Sequence, residues 1–282
     1  MLVEKITSRQ NPLVKRFRLV RAGGEHHHVF LEGVRLIEDA LRAGAHFETV
    51  AFSSQIETTE RGLALLDQLQ QVPCRGAHVS KQVMDAIADT ESPQGVAAIV
   101  SRPHFEVADV VDRSPQLIII ADELQDPGNL GTIIRTAEAA GATGLITTRF
   151  TVDPFNHKAL RASMGSALRF PIATDVPRPD AFALCRKRGI KIIALESAPA
   201  GPLGVIEDGE VTGAMQIYTE AKLTGPVALV CGRESSGIAS ATAATADALV
   251  HIPMADGVES LNVSAAAAIL LYEAARQRGF KI

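Results

Sequence analysis

The chain has 282 residues, of which 46% are apolar and 21% charged, a size that accommodates two domains and the balance of a soluble globular protein. Its formal net charge of −4 excludes a basic protein that coats nucleic acid without specificity, and with no Trp and only two Tyr and ten Phe any surface built on aromatic stacking is sparse. No apolar run reaches the roughly 18 residues of a membrane span, no apolar signal core opens the chain, and the odd, widely spaced Cys74, Cys185 and Cys231 point to free thiols in a reducing cytoplasm.

The N-terminus is locally basic. Lys5, Arg9, Lys15, Arg16, Arg18 and Arg21 are opposed there only by Glu4 and Glu25, and a solvated helix face and a phosphate-contacting arm explain that charge equally well. "NPLVKRFRLVRA" places Leu13, Val14, Phe17 and Val20 at helical spacing behind Pro12, which predicts a helix. His26, His27 and His28 have the composition of a metal tract but no accompanying Cys or carboxylate pattern, so they are read as a solvated loop and no metal is expected. Strand "VFLEG", helix "VRLIEDALRAG", strand "FETVAFS", helix "ERGLALLDQLQ", strand "CRGAHVS", helix "KQVMDAIAD" and strand "GVAAIVS" follow. They make a small α/β domain over residues 1–104. Two prolines and weak periodicity in Arg102 to Gln116 place a linker at 105–116.

A second α/β domain, 117–282, opens with "LIIIADEL", a continuous apolar run suited to a parallel strand buried on both faces. Further strands are expected at "GLITT", "KIIALES", "PVALVCG" and "ALVHIP", and helices between them at "GTIIRTAEAAG", "FNHKALRASMG" and "DAFALCRKRG". No internal repeat is present.

Ligands gather at the carboxyl ends of the strands of such sheets, and three loops there have unusual composition. In "DELQDPGNLGTIIRTAEAAG" (Asp122 to Gly141), Asn129 sits where a helix N-cap belongs, and Gly131 permits close backbone approach. Arg135 lies among Ile133, Ile134 and Ala137. It is either a surface charge or a cleft-facing one that needs an anion such as phosphate. In "VCGRESSGI" (Val230 to Ile238), Gly232 and Gly237 bracket Glu234; no Lys and Ser/Thr follow, so this is no P-loop, and the chain has no GxGxxG fingerprint. In "HIPMADGVESLNVSAAAAILLYEAARQR" (His251 to Arg278), Pro253 and Gly257 break the strand and expose main-chain groups around Ile252, Met254 and Leu261. Such groups read a flat heteroaromatic ring, with apolar side chains as its walls. Ser260, Leu261, Asn262 and Ser264 are expected to open a helix, and they carry more small polar side chains than capping requires. The alanines behind them demand close packing on several sides, which the domain core or a second copy of the chain could supply.

Together, "NLGTIIRTAEAAG", "LVCGRESSGI" and "IPMADGVESLNVSAAAAILLYEAARQR" resemble, in order, the three signature motifs of the SpoU (TrmH) family of RNA ribose 2′-O-methyltransferases. "SRQNPLVKRFRLV", "FLEGVRLIEDAL" and "SPQGVAAIV" resemble that family's N-terminal substrate-binding domain, so the likeness spans nearly the whole chain. The resemblance implies a SPOUT-type, trefoil-knotted catalytic domain that binds S-adenosyl-L-methionine, pairs as a homodimer through the knot and acts on RNA. Periodicity could not have shown a knot, since true knots are among the rarest topologies. Carried over by motif, Gly232, Ile252, Met254 and Leu261 hold the cofactor, and Asn129, Arg135, Glu234, Ser260 and Asn262 form the conserved polar set. Arg9, Lys15, Arg16 and Arg18 would contact substrate, and "ALRASMGSALRFPI" places Ser163 and Arg169 near it. The chain departs from the family at Ser235, where Gly is usual. The expected mechanism has Arg135 holding an RNA phosphate and stabilising negative charge on the 2′-oxygen, with Glu234 fixing the loops through Asn129. Ribosomal RNA is the favoured substrate and tRNA the alternative. A catalytically silent RNA-binding scaffold, and a dehydrogenase or NTPase on an ordinary doubly wound sheet, are the competing readings.

Overall fold

A computed structural model describes residues 2–196, 215–234 and 237–280; Ser235 lies outside them. In chain order the first half comprises β1 (Leu2–Ile6), α1 (Pro12–Arg21), β2 (His28–Glu32), α2 (Val34–Arg42), β3 (Phe47–Phe52), α3 (Glu60–Gln70), β4 (Arg75–Val79), α4 (Lys81–Ile87) and β5 (Val96–Ser101). There follow α5 (Val107–Val111), β6 (Leu117–Ala121), α6 (Pro127–Ala139), β7 (Gly144–Thr148), α7 (His157–Ser163), β8 (Ile172–Val176), α8 (Arg178–Lys187), β9 (Lys191–Leu195), β10 (Met215–Ile217), β11 (Val227–Cys231), α9 (Ser240–Thr245), β12 (Ala248–His251) and α10 (Val263–Gln277).

The chain divides into two compact units, Met1–Pro103 with Phe155–Arg169, and His104–Pro154 with Phe170–Ile282. The N-terminal unit has a five-stranded sheet of order β1-β4-β3-β5-β2, in which β1, β4 and β3 are parallel and β5 opposes both its neighbours. Helix α1 starts where Asn11 accepts the Leu13 N–H at 2.8 Å and Pro12 occupies N1, a position that has no use for its missing N–H. The predicted stripe of Leu13, Val14, Phe17 and Val20 is buried, and Phe17 meets Phe30 edge-on with ring centroids 6.4 Å apart. Full burial of a side chain such as Phe17 is worth about 1.5–3 kcal/mol.

The second unit is built on a seven-stranded sheet of order β10-β12-β9-β11-β6-β7-β8, parallel at every pairing. Strands β6, β7 and β11 are buried along their whole length, as continuous apolar runs require. The segment expected as a linker holds α5 instead, and its Val110 and Val111 are fully buried in the core of this unit with Ile118, Ile146 and Phe182. The stretch around α7 belongs with the N-terminal unit: His157 and Arg161 both reach the Asp89 carboxylate, at 3.2 and 3.3 Å. Helix α10 packs against α6. Its end is tied down by Gln277, which accepts the Leu223 N–H and donates to Ala221 O, and by Arg278, which donates to the carbonyls of Leu223 and Gln116. Among the described residues no helix is long and apolar enough to cross a membrane.

Candidate active site

The loops leaving β6, β11 and β12 are held together by one line of hydrogen bonds. Helix α6 begins at Asp126, whose side chain accepts the Asn129 N–H at 2.7 Å, with Pro127 at N1. Asn129 is therefore inside the first turn and not the N-cap expected from sequence. Asp-Pro is the stronger start signal, and it frees the Asn129 amide for other partners. Asn129 Nδ2 donates to Glu234 Oε1 at 3.2 Å, and Asn262 Nδ2 donates to Asn129 Oδ1 at 3.0 Å. Asn262 itself caps α10, its Oδ1 accepting the Ser264 N–H at 2.9 Å and the Ser264 hydroxyl at 2.6 Å. So α10 begins at Val263, and Ser260 and Leu261 lie in the loop before it. Every donor in the row points toward Glu234. An ionised carboxylate only accepts, so it fixes how the Asn129 amide is turned, and that amide in turn fixes Asn262.

Glu234 also accepts the backbone N–H groups of Asp126 at 2.9 Å and Gln125 at 3.3 Å. Burial pushes its carboxyl up, but these bonds, together with its own N–H and the Asn129 amide, hold it below the usual carboxylate range on balance. A carboxylate with a lowered pKa is a weak base. Its contribution to the loops is complete above the ordinary carboxylate pKa and is lost in acid, as pH falls through the lowered value. Gln in its place offers one acceptor oxygen to these four donors, and turns an NH₂ toward one of them. Glu234→Gln is expected to lower methyl transfer about 10- to 100-fold, the equivalent of roughly one charge-assisted hydrogen bond, and to leave the acid limb of the rate–pH profile in place; loss of that acid limb in the variant would instead identify Glu234 as the base.

Beside this row lies a cavity of about 330 Å³. Gly232, Ile252, Met254 and Leu261, the four residues carried over for the cofactor, all line it, as do Ser260 and Glu234. Gly232 is required sterically: a Cβ there would stand 2.3 Å from Gly237 O. The close approach is fixed by a two-bond bridge, Arg233 N–H to Gly237 O at 2.9 Å and Gly237 N–H to Arg233 O at 3.1 Å. Cys231 also lines the cavity. Burial pushes its thiol up to about 12, so it stays protonated and is no nucleophile.

A buried charge network that sequence reasoning missed supports the loops from beneath. Asp122, 2% exposed, accepts from Arg178 Nε at 2.9 Å, the Thr148 hydroxyl at 2.9 Å and the Thr242 hydroxyl at 2.7 Å, while its N–H donates to Cys231 O at 2.8 Å. Glu123 joins Arg178 to Arg233 and so ties the first loop to the second. The signal available in sequence was a carboxylate at the end of a fully apolar strand, which must find a partner. Asp122→Ala leaves Arg178 with Glu123 alone and the Thr148 and Thr242 hydroxyls without their acceptor, and is expected to cost about 1–3 kcal/mol for each buried group left unsatisfied, read from urea unfolding.

Arg135 stands apart from the row. It is exposed on α6, about 9 Å along the axis from Asn129 and about 240° around it, and among the described residues it makes no hydrogen bond or ion pair. The N-terminal basic residues divide in the same way. Lys15 and Arg18 are exposed, and Arg9 donates to Gln82 O at 3.1 Å. Arg16 is already neutralised within the fold by Glu25 and Glu48, which His28 also joins. Ser163 is fully buried. Its hydroxyl donates to Leu160 O at 2.9 Å and accepts the Ala167 N–H at 3.4 Å, so its polar capacity is used within the fold and it is not placed to touch a substrate. Arg169 is exposed, with Nη2 3.4 Å from the Ser166 hydroxyl. Among the described residues no group of His, Cys, Asp or Glu has the form of a metal site.

The comparisons with known proteins concern the family and the fold. Residues 116–272 match the SpoU rRNA Methylase family and residues 11–98 the MRM3-like substrate binding domain. An uncharacterized tRNA/rRNA methyltransferase of Synechocystis is 34% identical, over 98% of this chain and 95% of its own length. The 23S rRNA (guanosine(2553)-2′-O)-methyltransferase RlmP of Bacillus subtilis is 28% identical, over 96% and 98% respectively. The crystal structure of an AdoMet-bound rRNA methyltransferase from Sinorhizobium meliloti superposes with a TM-score of 0.80 at 31% identity, covering 97% of this chain and 98% of that one. A two-unit α/β architecture, a site made by three motif loops and a family match over more than half of the sequence lead to one conclusion: the chain belongs to the SpoU rRNA methylase family.

Proposed function

We propose that this protein is an S-adenosylmethionine-dependent methyltransferase that modifies a ribose 2′-hydroxyl in ribosomal RNA. The observation that carries the reading is the Asn262–Asn129–Glu234 row beside a cavity lined by Gly232, Ile252, Met254 and Leu261. The AdoMet-bound Sinorhizobium relative and the 2′-O-specific Bacillus relative support the cofactor and the position modified.

The cavity suits the cofactor. Ile252, Leu261 and Leu195 give apolar walls, and the Gly232 main chain approaches without a side chain between. When bound, S-adenosylmethionine supplies an electrophilic sulfonium methyl group. The chain's own residues hold the acceptor. Asn129, Ser260 and Asn262 orient the ribose, and Glu234 keeps the two amides turned correctly. Arg135 pairs with an RNA phosphate and stabilises negative charge as it builds on the 2′-oxygen. A guanidinium does not act as the base, because it stays protonated in proteins.

The enzyme acts as a cytoplasmic homodimer through its C-terminal unit. What supports the dimer is a stripe on α10 comprising Ala265, Ala268, Ile269 and Tyr272, at helical spacing, with Tyr272 45% exposed. What supports the trefoil-knotted path is the placement of β11 between β6 and β9, and the stitching of the α10 end to residues that precede β6 and β11. In the N-terminal unit, Lys15 and Arg18, with Arg9 and Arg169, offer positive charge to the RNA backbone.

The test is transfer of labelled methyl from S-adenosylmethionine to unmodified 23S and 16S rRNA transcripts and to tRNA transcripts. Label is expected in rRNA alone. Label confined to tRNA overturns the substrate assignment, and failure to bind the cofactor favours a silent RNA-binding scaffold.

A further inference from the structure

The loop after β7 presents a side chain that packing does not explain. Phe150 is 77% exposed, the most exposed large apolar side chain among the described residues. Its φ is +67°, a left-handed conformation that is costly for a bulky residue and usually given to Gly or Asn. Glu123 and Asp175, at the ends of the neighbouring strands β6 and β8, also have positive φ. Strain of this kind collects where a backbone is held for function.

The loop is held firmly. Thr151 Oγ1 accepts the Glu123 N–H at 3.0 Å and donates to Ala121 O at 3.0 Å. The Val152 N–H donates to Leu124 O at 2.8 Å, and the Arg149 N–H to Val176 O at 3.0 Å. The Gln125 side chain donates to Phe150 O, and the backbone N–H of the same Gln125 donates to Glu234. One residue thus joins Phe150 to the carboxylate that organises the ribose site. Beside it, Arg149 is exposed and its side chain has no hydrogen bond or ion pair among the described residues.

We propose that Phe150 is a nucleobase-stacking residue: the loop after β7 presents its ring to an unpaired base at or next to the methylated ribose, with Arg149 beside it for the backbone phosphate. RNA sites are read through unstacked bases laid on aromatic rings, and in a chain with so few aromatics a strained, exposed ring on a loop tied through Gln125 to Glu234 is well suited to that role. The inference rests on the RNA methyltransferase reading given above.

The experiment compares wild type with Phe150→Gly, Phe150→Leu and Phe150→Tyr on in vitro transcribed 23S rRNA. It measures kcat and KM for RNA, cofactor affinity by calorimetry, melting temperature, and oligomeric state by light scattering. Glycine suits φ = +67°, so Phe150→Gly is expected to melt no lower than wild type while KM for RNA rises about 10- to 100-fold, the range of base–aromatic stacking, with cofactor affinity unchanged. Phe150→Tyr is expected to restore KM, and Phe150→Leu to behave like Phe150→Gly. An unchanged KM in Phe150→Gly, or rescue by Leu equal to that by Tyr, overturns the proposal. So does a change of oligomeric state, which would assign Phe150 to contact with a second copy of the chain. If the wild-type enzyme transfers no methyl to this RNA, the functional reading fails separately, and filter binding of the same transcript by the four proteins decides the role of Phe150.

Discussion

Replacing Arg135 with alanine is expected to lower methyl transfer about 10²- to 10³-fold, the loss that follows removal of one preorganised donor to a developing oxyanion. S-adenosylmethionine affinity should not change, because Arg135 does not line the cavity. Leu130, Gly131, Ile133, Ile134 and Ala137 are buried and anchor α6, while Arg135 is exposed and meets no carboxylate among the described residues. A fixed helix therefore carries a guanidinium whose charge is unspent. Arg135→Lys keeps the charge but loses the planar fork that grips phosphate through two bonds, so it should recover only part of the rate. Near-normal turnover in Arg135→Lys would contradict a role for the guanidinium geometry.

Gly232→Ala is expected to weaken S-adenosylmethionine binding by more than about 100-fold, since avoiding the clash costs on the order of several kcal/mol, while the far-ultraviolet circular dichroism stays that of the wild type. The added methyl would lie 2.3 Å from Gly237 O, 2.6 Å from Gly237 C and 2.9 Å from Ile238 Cα. All three are backbone atoms, so no flexible side-chain end can swing away. The Arg233–Gly237 bridge must open, and with it the cavity wall and the position of Glu234. Calorimetric titration reads the result, and wild-type affinity in the variant would show that the bridge does not form the pocket.

The interior of both sheets was legible because central strands leave an unbroken apolar run: "LIIIA" and "VALVC" could hardly be anything else. The edges were not. β1, β8 and β10 were missed, and all three are edge strands, with sequences such as "LVEKI" and "IATDV" that carry charge where one side lacks a neighbour. The linker was misread because α5 is only five residues long, too short to show a period. At the site, the third motif was visible as an excess of small polar residues. The direction of the hydrogen-bond row was not, since it depends on which groups three separate loops bring face to face. For the same reason sequence could not reveal that Asp122 would claim Arg178, or that Glu48 would claim Arg16, 32 residues away. The assignment of Phe155–Arg169 to the N-terminal unit also rests on long-range contacts that no local pattern encodes.

The chemistry of the product shows whether the methyl group is placed on a ribose oxygen of ribosomal RNA. Unmodified 23S rRNA transcript is incubated with the protein and labelled S-adenosylmethionine, hydrolysed with alkali and separated. A 2′-O-methyl group removes the hydroxyl that alkali uses to cut the chain, so the expected result is label that stays in an alkali-resistant dinucleotide and is absent from the Arg135→Ala reaction. Label released as a mononucleotide methylated on its base would contradict it.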